Sequence, residues 1–281
     1  MKRIALLAVC MLAATVAHAQ TLDKIRSSKT VTIAYRPDAL PFSFEDSNTK
    51  QPAGYTVDLC KRVVAGLEQQ LKVGTLQIKW VPATAANRME LVAQKQADME
   101  CGATTATLGR MEHVDFSNLV FVDGGGLLVR TDANMKSLAD LGGKKIAVIG
   151  GTSTEKALAA ALKQRLVNAQ IVPVKTREDG LAALESGSVD AFASDRVLLV
   201  GLGTTVKNPE RYTMLGEDYS FEPYAITLPR GDPAFRLAVN RALAQIYRSG
   251  EVAEVFNRYF SGLGSPSTLL MAMYYLNALP E

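Results

Sequence analysis

Histidine is almost missing from this chain. Its 281 residues include two, His18 and His113. A Ser-His-Asp or Cys-His catalytic site needs a histidine base. His113 stands in Arg110-Met111-Glu112-His113-Val114-Asp115-Phe116, among charged neighbours, where a solvated surface role is expected. Cysteine is as scarce, with Cys10, Cys60 and Cys101 alone, and the Cys and His spacing excludes a zinc site. Charge of one sign is lacking too. With 31 basic and 28 acidic residues the net charge is +3, which gives no electrostatic footprint for nucleic acid. These shortages argue against a histidine-based catalytic site, a zinc site and a nucleic-acid partner, and the protein is expected to be no enzyme and to carry no cofactor or metal.

Long apolar runs are also absent. Ile4 to Val16 is apolar but too short to span a bilayer of roughly 30 Å as a helix. Lys2 and Arg3 precede it, and Ala17-His18-Ala19 follows as a small-x-small cleavage pattern. Residues 1–19 therefore read as a signal peptide, with export to the periplasm and a mature chain from Gln20. A membrane anchor and a lipoprotein at Cys10 are the weaker alternatives. Removal of the leader takes away Lys2 and Arg3 and lowers the charge to +1. About 260 residues remain, enough for one large domain or two lobes. Cys60 and Cys101 are then the two cysteines in an oxidising compartment, and a disulfide between them is expected. It closes a loop of about 40 residues and contributes roughly 4 kcal/mol in the chain-entropy model. Two buried free thiols are the alternative.

The elements alternate. Strands are predicted at 30–35, 76–81, 97–102, 145–149, 170–174 and 189–193. Helices are predicted from Gly54-Tyr55 and over 86–94, 154–167, 179–185, 232–247 and 251–259, with a short one near 269–276. The pattern argues for an α/β fold with mainly parallel sheets flanked by helices. Helix 86–94 leading to Ala97-Asp98-Met99 is echoed by helix 179–185 leading to Val189-Asp190-Ala191, which suggests two lobes of similar build. Gly124-Gly125-Gly126 interrupts an apolar run as a poor strand interior and a plausible hinge. Phe221-Glu222-Pro223-Tyr224-Ala225-Ile226 is a second connector. The expected division is lobe 1 from 20–123 and 224–281, and lobe 2 from 124–223.

A series of motifs follows this frame. In order they are Leu40-Pro41-Phe42-Ser43-Phe44, Gly54-Tyr55-Thr56-Val57-Asp58-Leu59, Ala86-Asn87-Arg88 and Glu100-Cys101-Gly102-Ala103-Thr104-Thr105. Arg110 ahead of Val114-Asp115-Phe116-Ser117 comes next, then Gly151-Thr152-Ser153 and Asp190-Ala191-Phe192-Ala193-Ser194-Asp195. Over about residues 21–260 the chain resembles the amino-acid-binding proteins of ABC importers, and within them the glutamate/aspartate branch. The resemblance implies a two-lobed periplasmic binding-protein fold of type II with two hinge strands. It also implies an amino-acid ligand, a permease partner in the inner membrane and a monomer. Thr56 departs from the acidic residue usual in the broader family.

The resemblance assigns Arg110 and Thr105 to the ligand's α-carboxylate and Asp195 to its α-ammonium. A guanidinium suits a carboxylate because its fork makes two parallel hydrogen bonds. Thr152 and Ser153 offer a helix N-terminus to an anion, although Ser153 or Thr154 could serve as a simple cap. Asp195 is likewise a candidate N-cap for the helix from Arg196. Arg36 and Arg88 point to a side-chain carboxylate. Ala85 and Ala103 stand where the branch carries serine, and Arg177 where it carries histidine, so a larger or different acid is open. An enzyme on the same fold, of the cyclohexadienyl dehydratase kind, or a binding protein for another polar amino acid is the alternative.

Overall fold

The computed structural model describes residues 20–281. The readings of residues 1–19 as a leader, and of Cys10, lie outside that range. Among the described residues the strands are β1 (Thr30–Tyr35), β2 (Asp38–Ala39), β3 (Ser43–Glu45), β4 (Pro52–Ala53), β5 (Gln77–Pro82) and β6 (Met99–Cys101). They continue with β7 (Asp115–Arg130), β8 (Lys145–Ile149), β9 (Gln170–Val174), β10 (Ala191–Asp195), β11 (Tyr212–Met214) and β12 (Phe221–Leu228). The helices are α1 (Gln20–Ser28), α2 (Tyr55–Leu71), α3 (Arg88–Ala93), α4 (Leu108–Met111) and α5 (Ser153–Gln164). After them come α6 (Arg177–Glu185), α7 (Arg196–Gly203), α8 (Pro233–Ser249), α9 (Glu251–Phe260) and α10 (Thr268–Asn277).

Strands run in the order β5-β1-β6-β12-β7-β10-β8-β9, with β11 beside β7. β1 is parallel to β5 and β6, and β8 is parallel to β10 and β9. These parallel halves are the two lobes. The antiparallel pair β7 and β12 lies between them and joins them. No helix of the described residues is long and apolar enough to cross a membrane.

Each lobe has its own core. In lobe 1, Leu59, Val63 and Leu67 recur at helical spacing along α2 and meet Val31, Ile33, Met99, Phe235 and Leu243, all fully buried. Burial of one such side chain contributes about 1.5–3 kcal/mol. In lobe 2 the period is that of a strand. Leu127, Val129, Ile146 and Val148 face Leu138, Leu158 and Leu162. Leu128, Ala147 and Phe192 face the other way, onto Leu184, Leu199 and Leu202. The predicted disulfide is formed: Cys60 of α2 bonds to Cys101 of β6, with Cα atoms 6.5 Å apart.

One glycine seats the loop that leads into the site. Gly54 has φ of 125°, and a Cβ there would lie 2.4 Å from the Phe42 carbonyl oxygen. The close approach lets Phe42 O accept the Thr56 N–H at 2.9 Å. This anchors the stretch from Arg36 to Ser43 on the start of α2. Thr56 is fully buried there, with its hydroxyl unpartnered.

Gly124-Gly125-Gly126 differs from its reading as a poor strand interior. β7 runs unbroken through all three as a strand of 16 residues. None of them has positive φ. Glycine is needed here for space: a Cβ at Gly124 would lie 2.8 Å from Asp218 Cγ, and one at Gly125 would lie 2.5 Å from Ser220 Oγ. The segment ahead of β12 packs flat against this strand.

Candidate functional site

Loop and strand ends from both lobes converge beside β7 and β12. A small cavity of about 20 Å³ lies between them, lined by Arg36, Arg88, Thr105, Thr152, Ser153, Arg177 and Asp195. Ala85 and Ala103 line it too. Seven of the eight candidate ligand residues therefore meet at one point. Arg110 does not line this cavity. It lines an adjoining open cleft of about 1000 Å³, together with Thr105, Thr152 and Ser153, which form the wall between the two spaces. His113 is exposed at that cleft.

The cationic end is built by three buried arginines. Arg36 follows β1 and is 4% exposed. Its fork is already engaged: Nε and Nη2 donate to Asp38 Oδ1 and Oδ2 at 2.9 and 2.8 Å. Arg177, the first residue of α6, reaches across from lobe 2. Its Nη1 donates to Asp38 O at 3.1 Å and to Asp38 Oδ2 at 3.3 Å, while its Nε is buried without a partner. Arg88 donates from Nε to Thr104 Oγ1 at 2.8 Å and from Nη1 to Ala85 O. Burial, and then the charge of Arg36, pulls the Arg88 guanidinium down to about 9. The same two causes lower Arg177. Beneath them Glu100 is fully buried. Its Oε2 accepts from Thr227 at 2.9 Å and its Oε1 is unpartnered.

Carboxylates gather at the other end. Asp195 closes β10 and takes the N-cap position of α7, but its side chain makes no capping bond. It accepts instead from Thr154 Oγ1 and from the Tyr224 hydroxyl. Tyr224 also lies 3.3 Å from Asp123 Oδ2. Burial, and then Asp195, pushes the Asp123 carboxyl up to about 8. Glu222 Oε2 accepts from Thr105 at 2.6 Å and Ser153 at 2.9 Å, and its Oε1 accepts from Ser220 at 2.7 Å. Burial and Asp195 raise its carboxyl as well.

These contacts revise the local expectations. The Thr105 hydroxyl, read as a carboxylate donor, is given to Glu222. The cap of α5 is Thr152, whose Oγ1 accepts from Glu155 N at 3.1 Å. Ser153 is the first helical residue, and its hydroxyl turns to Thr105 at 3.1 Å and to Glu222. The Gly151 N–H is taken by Glu155 Oε2 at 2.7 Å. Arg110 is half-buried and donates to Thr105 O at 2.7 Å. Burial lowers it, with Glu222 and Asp195 opposing.

Asp38, Asp123 and Glu222 were not read from the sequence as site residues. Asp38, two residues after Arg36, was the clearest available signal. Glu222 was visible only as part of a connector.

The arrangement suits a small molecule carrying both charges. Arginines from both lobes and Asp195 line one small space, largely screened from water, where ionic hydrogen bonds are strongest. A cavity of about 20 Å³ holds roughly one water. A larger guest requires the lobes to part and the buried arginines to re-aim.

The chain is similar to known extracellular binding proteins. The family model for bacterial extracellular solute-binding proteins, family 3, matches residues 31–262. An L-glutamate/L-aspartate-binding protein of Pseudomonas aeruginosa is 34% identical over 241 residues, covering 86% of this chain and 80% of that one. A glutamate/aspartate import solute-binding protein of Escherichia coli is 32% identical over 255 residues, covering 91% and 84%. Among solved structures, a mutant of ArgBP from T. maritima aligns with a TM-score of 0.75 at 25% identity, covering 86% and 99%. An ancestral amino acid-binding protein, a precursor of cyclohexadienyl dehydratase, aligns at 0.74 and 27%, covering 85% and 99%.

Proposed function

The chain belongs to the family 3 bacterial extracellular solute-binding proteins, and on that premise we propose that it is the amino-acid-binding component of an ABC importer for an acidic amino acid. It acts in the periplasm after removal of residues 1–19, as a monomer, and hands its ligand to a permease in the inner membrane. The lobes divide at 123/124 and 223/224, within β7 and β12.

One observation carries the reading: cations of both lobes, Arg36 and Arg88 with Arg177, line a single cavity opposite Asp195. Asp195 and Glu222 receive the α-ammonium. Arg110, with Thr105, Thr152 and Ser153, takes the α-carboxylate as the wall beside it rearranges. Arg36, Arg88 and Arg177 hold the side-chain acid. Arg36, Arg88 and Arg177 against Asp38 and Glu100 leave an excess of one positive charge at that end. One ligand carboxylate balances it. Ligand contacts from both lobes favour the closed state, as in hinge closure around a ligand.

A thermal-shift screen of the common amino acids tests this. Glutamate or aspartate at 100 times its dissociation constant should stabilise the protein by about 2.7 kcal/mol. Stabilisation by neutral or basic amino acids and by no acidic one would remove the acidic assignment. The enzyme alternative needs an acid or base beside the leaving group. Turnover of prephenate or arogenate by the purified protein would establish it.

A further inference from the structure

Asp38 has no part in the reading above beyond its charge, yet its carboxylate touches two of the three specificity arginines, Arg36 and Arg177, one from each lobe. It sits in lobe 1, on the short strand β2, where pairing with Phe44 of β3 fixes its backbone. Its carboxylate takes both forked donors of Arg36 and a third hydrogen bond from Arg177 of lobe 2. Its backbone oxygen takes a fourth. The side chains of Arg36 and Arg177 are 4% and 8% exposed, and that of Asp38 is 23% exposed. Asp38 does not line the cavity, yet it bonds both cations that do. Burial alone would raise its carboxyl, but Arg36 and Arg177 outweigh that and hold it below the usual carboxylate range.

Like charges explain why such a tie matters. Two buried guanidinium groups brought together by lobe closure repel each other, and desolvation strengthens the repulsion. An anion between them converts that repulsion into a cross-lobe attachment. We propose that Asp38 is the positioning residue that assembles the Arg36–Arg177 site across the cleft, and that its own negative charge flattens the preference for an acid over an amide side chain. This rests on the acidic-ligand reading for its second half alone. With Asp38 present, the arginines are partly neutralised before the ligand arrives, so glutamine gives up less than the number of arginines implies. Without it, the side-chain acid has more of the pair's repulsion to relieve.

The test compares wild type with Asp38→Asn and Asp38→Glu by calorimetric titration of glutamate and glutamine. The ratio of the two dissociation constants is the readout, because a change in closure common to both ligands cancels from it. Asp38→Asn should raise the ratio of glutamine to glutamate constants by about tenfold or more, the effect of one charge at partly screened distance. Asp38→Glu, which restores the anion, should bring it back toward wild type. A ratio unchanged within about twofold overturns the selectivity claim. Small-angle scattering of the ligand-free proteins tests the assembly claim without any ligand. Asp38→Asn should give a larger radius of gyration than wild type and Asp38→Glu, and identical curves overturn it. If no variant binds either amino acid, the acidic-ligand reading fails by itself, and scattering still decides whether Asp38 joins the lobes.

Discussion

Asp123→Asn probes the carboxylate end where hydrogen-bond bookkeeping is tightest. The Tyr224 hydroxyl has one proton and gives it to Asp195. Asp123 Oδ2, 3.3 Å from the same hydroxyl, accepts only a weaker bond from it, and the carboxyl is pushed toward its protonated form. Burial beside Asp195 supplies the cause and places this carboxyl at about 8, against an ordinary 3.8. The folded state therefore binds one proton more than the unfolded state between those two values. For an acid whose folded value is raised, the stability contributed at low pH is lost as pH rises through that window. The slope is at most about 1.4 kcal/mol per pH unit. An asparagine keeps the shape and does not titrate. Urea unfolding of both proteins at pH 5, 6 and 7 gives the difference in free energy with the other titrating groups common to both. Asp123→Asn should gain on wild type by up to about 1.4 kcal/mol per unit, roughly 3 kcal/mol over the range. A difference independent of pH, or one that moves toward wild type as pH rises, would show an ionised Asp123 and refute the reasoning.

Other perturbations follow from the same geometry. Arg110→Ala should cost about 2–5 kcal/mol in binding of every amino-acid ligand, measured by calorimetry, because the α-carboxylate loses its charged partner. Reduction of Cys60–Cys101, which spans a sequence separation of 41, should lower stability to urea by roughly 4 kcal/mol; equal midpoints with and without reductant would contradict it. Gly125→Val places a side chain where Ser220 Oγ and the Tyr219 ring already lie 2.5 and 2.6 Å from an added Cβ. It should destabilise by about 1–3 kcal/mol, with a fall in melting temperature as the readout.

The alternation of elements was legible because its causes are local. The apolar stripe of α2 and the continuous apolar runs Ile146–Ile149 of β8 and Ala191–Ala193 of β10 are written in neighbouring residues, and the predicted strand 145–149 matches β8 to the residue. The Cys60–Cys101 bond followed from compartment and count. What the sequence hid depends on distant partners. Gly124 and Gly125 read as looseness, yet they answer to Asp218 and Ser220, which nothing nearby announces. Glu222 became a site residue through three hydroxyls, those of Thr105, Ser153 and Ser220, two of them far away in the chain. Asp195 could have capped α7 from its position alone; only Thr154 and Tyr224 turn it to the cleft. Arg36 and Arg177 were both singled out as site residues; Asp38 stands near Arg36 in the sequence, but that it also bonds Arg177 needs the two lobes in contact to be seen.

Calorimetric titration of the mature chain with glutamate, beside Arg36→Ala, tests the central claim most directly. Wild type should bind one glutamate per chain. Arg36→Ala should weaken glutamate far more than it weakens a neutral amino acid such as glutamine. Absence of binding to any acidic amino acid, or equal losses for glutamate and glutamine in the variant, would contradict the assignment of the buried arginines to a side-chain carboxylate.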